Sequence, residues 1–281
     1  MEKPCIVLKI GSASLVSEIE DKQKANLRLL VGLVETVTEL RQRGFDVIIV
    51  TSGAVSFGCM RLGISRPKEL GAKQALAAVG QARLMRLYED FFSHHDQPIA
   101  QVLLSRENLS LTHHFKNIQA TIRNCFKMGI VPIINENDTV AVEEIRFGDN
   151  DTLSALVASV VDAQWLVLLT DVDNLYSADP RKDPDAKPIL VVEDVFKLQE
   201  GIASKQGGSN HGTGGMYTKI QAARIASTHG TRTLICRSTC VCDRQKLGNR
   251  LQNKGELVDE EYLSLCYLHN QLFSLYVSCF F

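Results

Sequence analysis

The chain has 281 residues, 45% of them hydrophobic and 22% charged, which is ordinary for a soluble globular protein with a sizeable core. Its 31 basic residues nearly balance 32 acidic ones, so the net charge of −1 excludes a bulk field that would attract nucleic acid or an anionic membrane. We therefore expect neither of these as a partner. The apolar run after Pro4 is too short for a secretory signal, and eight scattered cysteines then predict free thiols in the cytoplasm.

Six short and nearly continuous apolar runs predict β-strands covered on both faces, which is typical of a mostly parallel sheet. Between them, apolar residues recur at three- and four-residue spacing and predict amphipathic helices. This alternation predicts an α/β fold, organised as one domain with two lobes. A surface loop is expected at residues 180–188. The predicted strands are residues 5–10, 47–51, 99–104, 130–135, 165–170 and 231–236, and the predicted helices contain Leu27 to Leu40 before a stop at Gly44, Leu76 to Phe91, and Leu153 to Val160.

Polar residues lie inside or just after four of these strands, where open α/β sheets bind ligands. Lys9 lies within the first apolar strand, where it either meets an anion or reaches solvent from an edge strand. The second strand runs into TSGA at residues 51–54, a turn before a helix whose free N–H groups suit an anion. The fourth strand ends in NEND at 135–138 and the fifth in Thr170 and Asp171. NEND, and the run GDND at 148–151 before a predicted helix, are either ligand groups or a polar turn and a helix cap.

The stretch GTGGMYTK at residues 212–219 combines three glycines with one lysine. Backbone N–H groups of such a loop can surround phosphate while Lys219 supplies the countercharge, although a flexible turn with a solvated lysine has the same composition. No glycine directly precedes Lys219, so this is not the P-loop pattern. The first strand is followed by GSAS, without the dinucleotide fingerprint. Taken together, these groups suit a nucleotide phosphate chain that meets a small zwitterion.

Seven blocks in this order carry a resemblance: VLKIGSASL, VIIVTSGAVSFG, KQALAAVGQARLM, IVPIINENDTVA, FGDNDTLSALVA, LLTDVDNLYSADPR and GTGGMYTK. Over residues 5–236 the sequence resembles the glutamate 5-kinase (γ-glutamyl kinase) branch of the amino-acid kinase family. That resemblance implies a three-layer α/β/α sandwich around a largely parallel sheet, with an N-terminal substrate lobe and a C-terminal nucleotide lobe. It also implies transfer of the ATP γ-phosphoryl group to the side-chain carboxylate of glutamate, the first step of proline biosynthesis.

The resemblance also implies site residues and partners. Mg²⁺ would be held mainly by the nucleotide and water, without a metal site on the protein, and Asp151 would orient the lysines. Proline is the expected feedback inhibitor, a separate glutamyl-phosphate reductase acts downstream, and a homo-oligomer is expected. Matching positions assign catalysis to Lys9, Gly11, Gly53, Asp151 and Lys219, glutamate binding to Ser52, Asp138 and Asn150, and ATP binding to Lys9, Thr170, Asp171, Thr213, Gly214, Gly215, Met216, Tyr217, Thr218 and Lys219.

Two regions leave alternatives open. Glycines at 58, 63 and 71 lie in a predicted loop between Ala54 and Ala72, which either closes differently over different ligands or uses these glycines only for turns. Residues 237–281 depart from the family pattern as a divergent tail without a PUA or reductase domain, so we expect a shifted or truncated gene end or a docked terminal helix. Residues 263–281 are too polar for a membrane span, which needs about 20 mainly apolar residues.

Other functions remain open as well. A kinase of the same fold could act on aspartate, N-acetylglutamate or a nucleoside monophosphate, but the INEND and GDND blocks favour free glutamate. A catalytically idle nucleotide-binding regulator is the alternative from another class of protein, and only the divergent tail favours it.

Overall fold

A computed structural model describes residues 3–19, 22–105, 108–109, 111–140, 150–178, 183–198, 215–242 and 266–268. The sequence-based predictions for Gly148, Asp149, Thr213 and Gly214 lie outside these residues. So do residues 180–182 of the predicted surface loop and residues 243–265 and 269–281 of the tail. Residues 183–187 of that loop precede a short strand that begins at Pro188.

Among the described residues, eight strands form the main sheet and four more form two small hairpins. The hairpins pair β2 with β3 and β8 with β9. The strands in chain order are β1 Cys5–Ile10, β2 Val16–Ile19, β3 Lys22–Ala25, β4 Asp46–Thr51, β5 Ile99–Leu104, β6 Val131–Glu136, β7 Trp165–Thr170, β8 Leu175–Tyr176, β9 Pro188–Ile189, β10 Val191–Val192, β11 Arg232–Arg237 and β12 Cys266–Leu268.

The main sheet has the order β10-β12-β11-β7-β1-β4-β6-β5. All neighbouring pairs from β5 to β11 are parallel, which confirms the predicted parallel sheet. β12 pairs antiparallel with β11 and parallel with β10. β1 lies in the middle and all six of its residues are buried, so Lys9 is on a central strand and the edge-strand alternative is wrong.

Helices cover both faces of this sheet and produce the predicted three-layer sandwich. The apolar residues of β1 alternate between two core clusters. Val7 packs with the helices Asn150–Val160 (α6) and Met216–Ser227 (α7), while Ile6 and Leu8 pack with Leu27–Gln42 (α2) and Leu70–Ser93 (α4). The helices are α1 Ser12–Leu15, α2 Leu27–Gln42, α3 Ala54–Leu62, α4 Leu70–Ser93, α5 Thr112–Lys127, α6 Asn150–Val160 and α7 Met216–Ser227, followed by a 3-10 helix at Ser238–Cys242.

The segment between Ala54 and Ala72 is not the flexible glycine loop that the sequence suggested. It contains α3 and the beginning of α4, and two of its glycines, Gly58 and Gly63, have fixed structural roles. A Cβ on Gly58 would lie 2.1 Å from the carbonyl oxygen of Leu76, and a Cβ on Gly80 would lie 1.8 Å from that of Ala54. The two helices therefore approach each other through glycine. Gly63 ends α3 with φ at +66°, a conformation that glycine adopts without strain.

The described part of the tail packs against the rest of the fold. Thr36 on α2 donates a buried 2.8 Å hydrogen bond to the carbonyl oxygen of Val241, and β12 extends the main sheet beyond β11. The described part of the tail is a 3-10 helix and one strand, and most of residues 263–281, where a terminal helix was expected, lies outside the described residues. Within the described ranges, no helix is both long and apolar enough to cross a membrane.

Candidate active site

The carboxyl ends of β1, β4, β6 and β7 meet at one edge of the sheet, around its topological switch point. β1 pairs with β4 on one side and with β7 on the other, so the strands that follow β1 in the sequence lie on both sides of it in the sheet. Open α/β sheets bind ligands in the crevice at such a point. Each of these four strands places a buried polar side chain at or near this edge, namely Lys9, Thr51, Asn135 and Thr170.

A buried carboxylate joins two buried lysines at this edge. Asp151, in the first turn of α6, has 0% exposure, and its Oδ1 lies 2.5 Å from Lys9 Nζ. Its Oδ2 lies 3.2 Å from Lys219 Nζ and accepts a 2.8 Å hydrogen bond from Thr218 Oγ1. The structure thus brings together Lys9, Asp151 and Lys219, which are far apart in the sequence. We call these three residues the charged cluster.

The charged cluster carries an excess of positive charge. Burial alone raises the pKa of Asp151, but the ammonium groups of Lys9 and Lys219, together with the hydrogen bonds to the carboxylate, outweigh burial and hold that pKa well below its usual range. The carboxylate is therefore ionised and faces two cations. Two ammonium groups against one carboxylate leave one positive charge uncompensated in a buried site, which suits an anionic ligand.

Two glycines shape the backbone next to the charged cluster. A Cβ on Gly11, just before α1, would lie in ordinary van der Waals contact with Lys9 Nζ, at 3.6 Å, so Gly11 borders the ammonium group. Gly53 precedes α3 with φ at +106°, a left-handed conformation that favours glycine. Gly53 and Gly215, which precede α3 and α7, have no side chain that could cap these helices. The first N–H groups of such helices can bind an anion.

A set of neutral amides lies beside the charged cluster. Asn150 Nδ2 lies 2.6 Å from the carbonyl oxygen of Thr51, 2.8 Å from Ser52 Oγ and 2.9 Å from Asn135 Oδ1. The predicted residues Ser52 and Asn150 are therefore in direct contact. Asp138 lies half-buried in the turn after β6. We call Ser52, Asn135 and Asn150 the amide region.

Sequence reasoning missed the residues that support the amide region from α4. Asn135 Nδ2 donates a 2.8 Å hydrogen bond to Gln81 Oε1, and the Tyr88 hydroxyl lies 3.0 Å from Thr51 Oγ1. Gln81 and Tyr88 are seven residues apart, so they lie on the same helical face two turns from each other. A polar side chain on the buried face of a helix was the available signal. Asn135 itself was noticed only as part of a polar run.

Of the residues predicted to bind the nucleotide, only some lie at the charged cluster. Thr170 ends β7 and its hydroxyl donates a 3.0 Å hydrogen bond to Asp171 Oδ1. In α7, Met216 is buried in the core while the side chain of Tyr217 is 53% exposed. Only Thr218 and Lys219 of this helix reach the charged cluster. Within the part of the chain that the structure describes, no three His, Cys, Asp or Glu residues are grouped so that they could hold a metal ion.

Comparison with known proteins agrees with this geometry. The model of the Amino acid kinase family matches residues 4–238. The chain belongs to the amino acid kinase family. A glutamate 5-kinase from Synechococcus elongatus is 54% identical over 231 residues, and one from Trichormus variabilis is 55% identical over 232 residues. Each of these matches covers 82% of this chain, which spans only 62% of the length of those relatives.

Solved structures show the same fold at low sequence identity. An isopentenyl phosphate kinase from T. acidophilum matches with a TM-score of 0.60 at 13% identity, covering 94% of this chain and 99% of that one. A carbamate kinase from Giardia lamblia matches with a TM-score of 0.63 at 10% identity, covering 95% and 99% respectively. These likenesses show the fold, and the functional assignment depends on the site.

Proposed function

We propose that this member of the amino acid kinase family transfers the γ-phosphoryl group of ATP to the side-chain carboxylate of L-glutamate. The product is L-glutamyl 5-phosphate, and the reaction is the first step of proline biosynthesis. The observation that carries the proposal is the contact of two buried lysines with Asp151, next to an amide region at the same sheet edge. The glutamate 5-kinases at 54–55% identity support it.

The site chemistry fits an acceptor that is already ionised. The carboxyl group of glutamate has a reference pKa of about 4.3, so it needs no general base at neutral pH. Asp151 is a poor base, because its pKa is held below the usual range and its oxygens face the lysines and Thr218. Asp151 instead positions Lys9 and Lys219. Their ammonium groups hold two anions near each other and stabilise the charge of the moving phosphoryl group.

We assign the phosphates of ATP to the charged cluster. The uncompensated charge of Lys9 and Lys219 fits a polyphosphate, and the N-terminus of α7 adds N–H donors. We also assign Thr170, Asp171 and residues 213–219 to ATP binding. Mg²⁺, which we expect to be held mainly by the nucleotide and water, would neutralise phosphate charge.

We assign the amino-acid end of glutamate to the amide region together with Asp138. The three acceptors around Asn150 Nδ2 leave Asn150 Oδ1 as an acceptor for the α-ammonium group. The carboxylate of Asp138 complements the same cation. Gly11 and Gly53 keep the backbone clear where the acceptor carboxylate meets the phosphoryl group. In this proposal the N-terminal lobe binds glutamate and the C-terminal lobe binds the nucleotide.

Trapping of the acyl phosphate tests the proposal. Purified protein with ATP, Mg²⁺, glutamate and hydroxylamine should form glutamyl hydroxamate, and aspartate or N-acetylglutamate should give far less product. A preference for either of those acids, or for a nucleoside monophosphate, would identify a different kinase of this fold. ATP binding without any transfer would identify a nucleotide-binding regulator.

We further propose that the protein is a cytoplasmic homo-oligomer, that proline inhibits it, and that a separate reductase consumes its product.

A further inference from the structure

The orientation of the Asn135 side chain is fixed by the backbone. The N–H of Glu136 donates a 2.9 Å hydrogen bond to Asn135 Oδ1, and a backbone N–H can only donate. The oxygen of the Asn135 amide must therefore face Glu136, and its Nδ2 must point the other way. This settles an assignment that the shape of an asparagine side chain alone leaves open.

Asn135 Nδ2 points at Gln81, whose side chain has one acceptor atom, Oε1. Gln81 Oε1 accepts the 2.8 Å hydrogen bond, and both side chains are buried, with 2% exposure for Asn135 and 8% for Gln81. Gln81 Nε2 is buried without a hydrogen-bond partner among the described residues. The part of Gln81 that bonds to the amide region is therefore its carbonyl oxygen.

The same chain of bonds reaches Asn150. Asn135 Oδ1, held by Glu136, also accepts the 2.9 Å hydrogen bond from Asn150 Nδ2. If Gln81 lost its acceptor, Asn135 Nδ2 would be left buried and unpaired, which is costly. Rotation of the Asn135 amide to relieve this would turn Nδ2 towards the Glu136 N–H and Asn150 Nδ2, both of which are donors. Gln81 thus opposes a rotation that would disturb Asn150.

We propose that Gln81 is a positioning residue for the amino-acid substrate. It fixes the Asn135 amide from helix α4. Together with the Thr51 carbonyl, which also accepts from Asn150 Nδ2, the Asn135 oxygen keeps Asn150 Oδ1 turned towards the substrate as an acceptor for its ammonium group. This inference rests on the proposed glutamate kinase activity. Among the described residues Gln81 bonds to Asn135 and to none of the charged cluster, so we expect it to act on the binding of glutamate and to leave the phosphoryl-transfer machinery in place.

Two Gln81 variants separate the acceptor from the rest of the side chain. Gln81→Met removes Oε1 at similar length, and we expect it to raise the KM for glutamate about tenfold, as one buried hydrogen bond allows. The KM for ATP and kcat should stay within about twofold of wild type. Gln81→Glu keeps an oxygen opposite Asn135, and burial favours its neutral form, so at pH 6 its KM for glutamate should lie within about threefold of wild type.

A double-mutant cycle tests whether Gln81 acts through Asn135. Adding Gln81→Met to Asn135→Leu should raise the KM for glutamate little beyond the value for Asn135→Leu alone, because residues in one hydrogen-bond network are not additive. Thr36→Val is the matched control: it removes a buried 2.8 Å hydrogen bond between α2 and the 3-10 helix. It should lower the melting temperature without moving the KM for glutamate.

The outcomes distinguish this inference from the function on which it rests. A wild-type protein that neither binds nor phosphorylates glutamate overturns both. If wild type is active, three results overturn the role of Gln81 alone: an unchanged KM for glutamate in folded Gln81→Met, an equal loss in Gln81→Glu, or effects that multiply in the double variant. If Gln81→Met does not fold, Asn135→Leu decides: a raised KM for glutamate with an unchanged KM for ATP supports the link through Asn135, and a wild-type KM for glutamate overturns it.

Discussion

The charged cluster and the amide region lie at the same edge of one sheet and are held by different forces. In the charged cluster, Lys9 and Lys219 meet opposite oxygens of a fully buried Asp151. In the amide region, neutral groups such as Asn135 and Asn150 are joined by directed hydrogen bonds of 2.8–2.9 Å. Coulomb attraction depends weakly on angle, whereas a hydrogen bond weakens steeply when it is bent.

This difference suggests a division of work between the two regions. A cluster with one excess positive charge gains most when negative charge develops beside it, so its loss should appear mainly in kcat. An amide network selects by the pattern of donors and acceptors, so its loss should appear mainly in the KM for the amino acid. Removing single residues from each region measures how sharp the division is.

Asp151→Asn should give the largest effect, because Lys9 and Lys219 would be left buried without a counterion. Breaking a buried ion pair in this way costs about 3–5 kcal/mol of unfolding free energy. Urea denaturation at pH 7 measures that loss, and the hydroxamate assay should show little remaining activity. A variant as stable as wild type would show that the lysines are not stabilised by Asp151.

The stabilisation from Asp151 should depend on pH in a defined direction. Its pKa is lowered in the folded state, mainly by Lys9 and Lys219 acting against burial, while the unfolded value is about 3.9. The stabilisation is therefore present above about pH 4 and is lost as the pH falls through the lower folded-state pKa. The stability difference between wild type and Asp151→Asn should narrow only in that acidic window. A difference that narrows between pH 8 and 6 would point to another group.

Lys219→Ala should lower kcat by about a hundredfold or more, because it removes a cation aimed at charge that develops in the transition state. The fold should survive, since Asp151 keeps its contact with Lys9. Lys197→Ala is the control, because the Lys197 side chain is 82% exposed and pairs with Asp194 away from the cluster. Turnover near the wild-type rate in folded Lys219→Ala would remove this lysine from the mechanism.

Asn150→Ala tests the amide region and should raise the KM for glutamate about tenfold to a hundredfold, with a much smaller change for ATP. The variant removes the side chain that contacts the Thr51 carbonyl, Ser52 and Asn135, and unpaired polar groups in such a site discriminate strongly. Initial rates over both substrates measure the two KM values. Asp138→Ala should give the same pattern. A larger change for ATP in either variant would mean that the two subsites are reversed.

The strands were predictable because their signal is local. The predicted run at 47–51 lies within one residue of β4 at its start, since buried parallel strands are continuous in apolar residues. Helix α5, Thr112–Lys127, was missed because only Ile122 and Cys125 of it are buried. The α3–α4 packing was mistaken for a loop because Gly58 is explained only by the approach of Leu76. Such contacts cannot be read from the neighbouring sequence.

The candidate site divides in the same way. Lys9 was conspicuous because a lysine in an apolar strand needs an anion, and the resemblance supplied Asp151 and Lys219 as its companions. Gln81 gave no comparable signal, since its partner Asn135 is 54 residues away and a single glutamine on a helix is usually solvated. The charged half of the site was thus visible in the sequence, and the support of the amide half was visible only in the structure.

Inhibition by proline is the smallest effect that we expect, and it tests most finely whether the charged cluster and the amide region act separately. Proline shares the α-amino-acid group of glutamate but has no side-chain carboxylate, so it can occupy the amide region without reaching Lys9 and Lys219. We therefore expect millimolar proline to raise the apparent KM for glutamate severalfold and to leave kcat unchanged. Because Gly58 and Gly63 have fixed roles in α3, this expectation depends on the shared group and not on a flexible loop. Rates against glutamate at several proline concentrations measure it, and Asn150→Ala should weaken the inhibition in parallel with its KM for glutamate. Superimposable curves up to millimolar proline would exclude the inhibition and leave the kinase assignment intact.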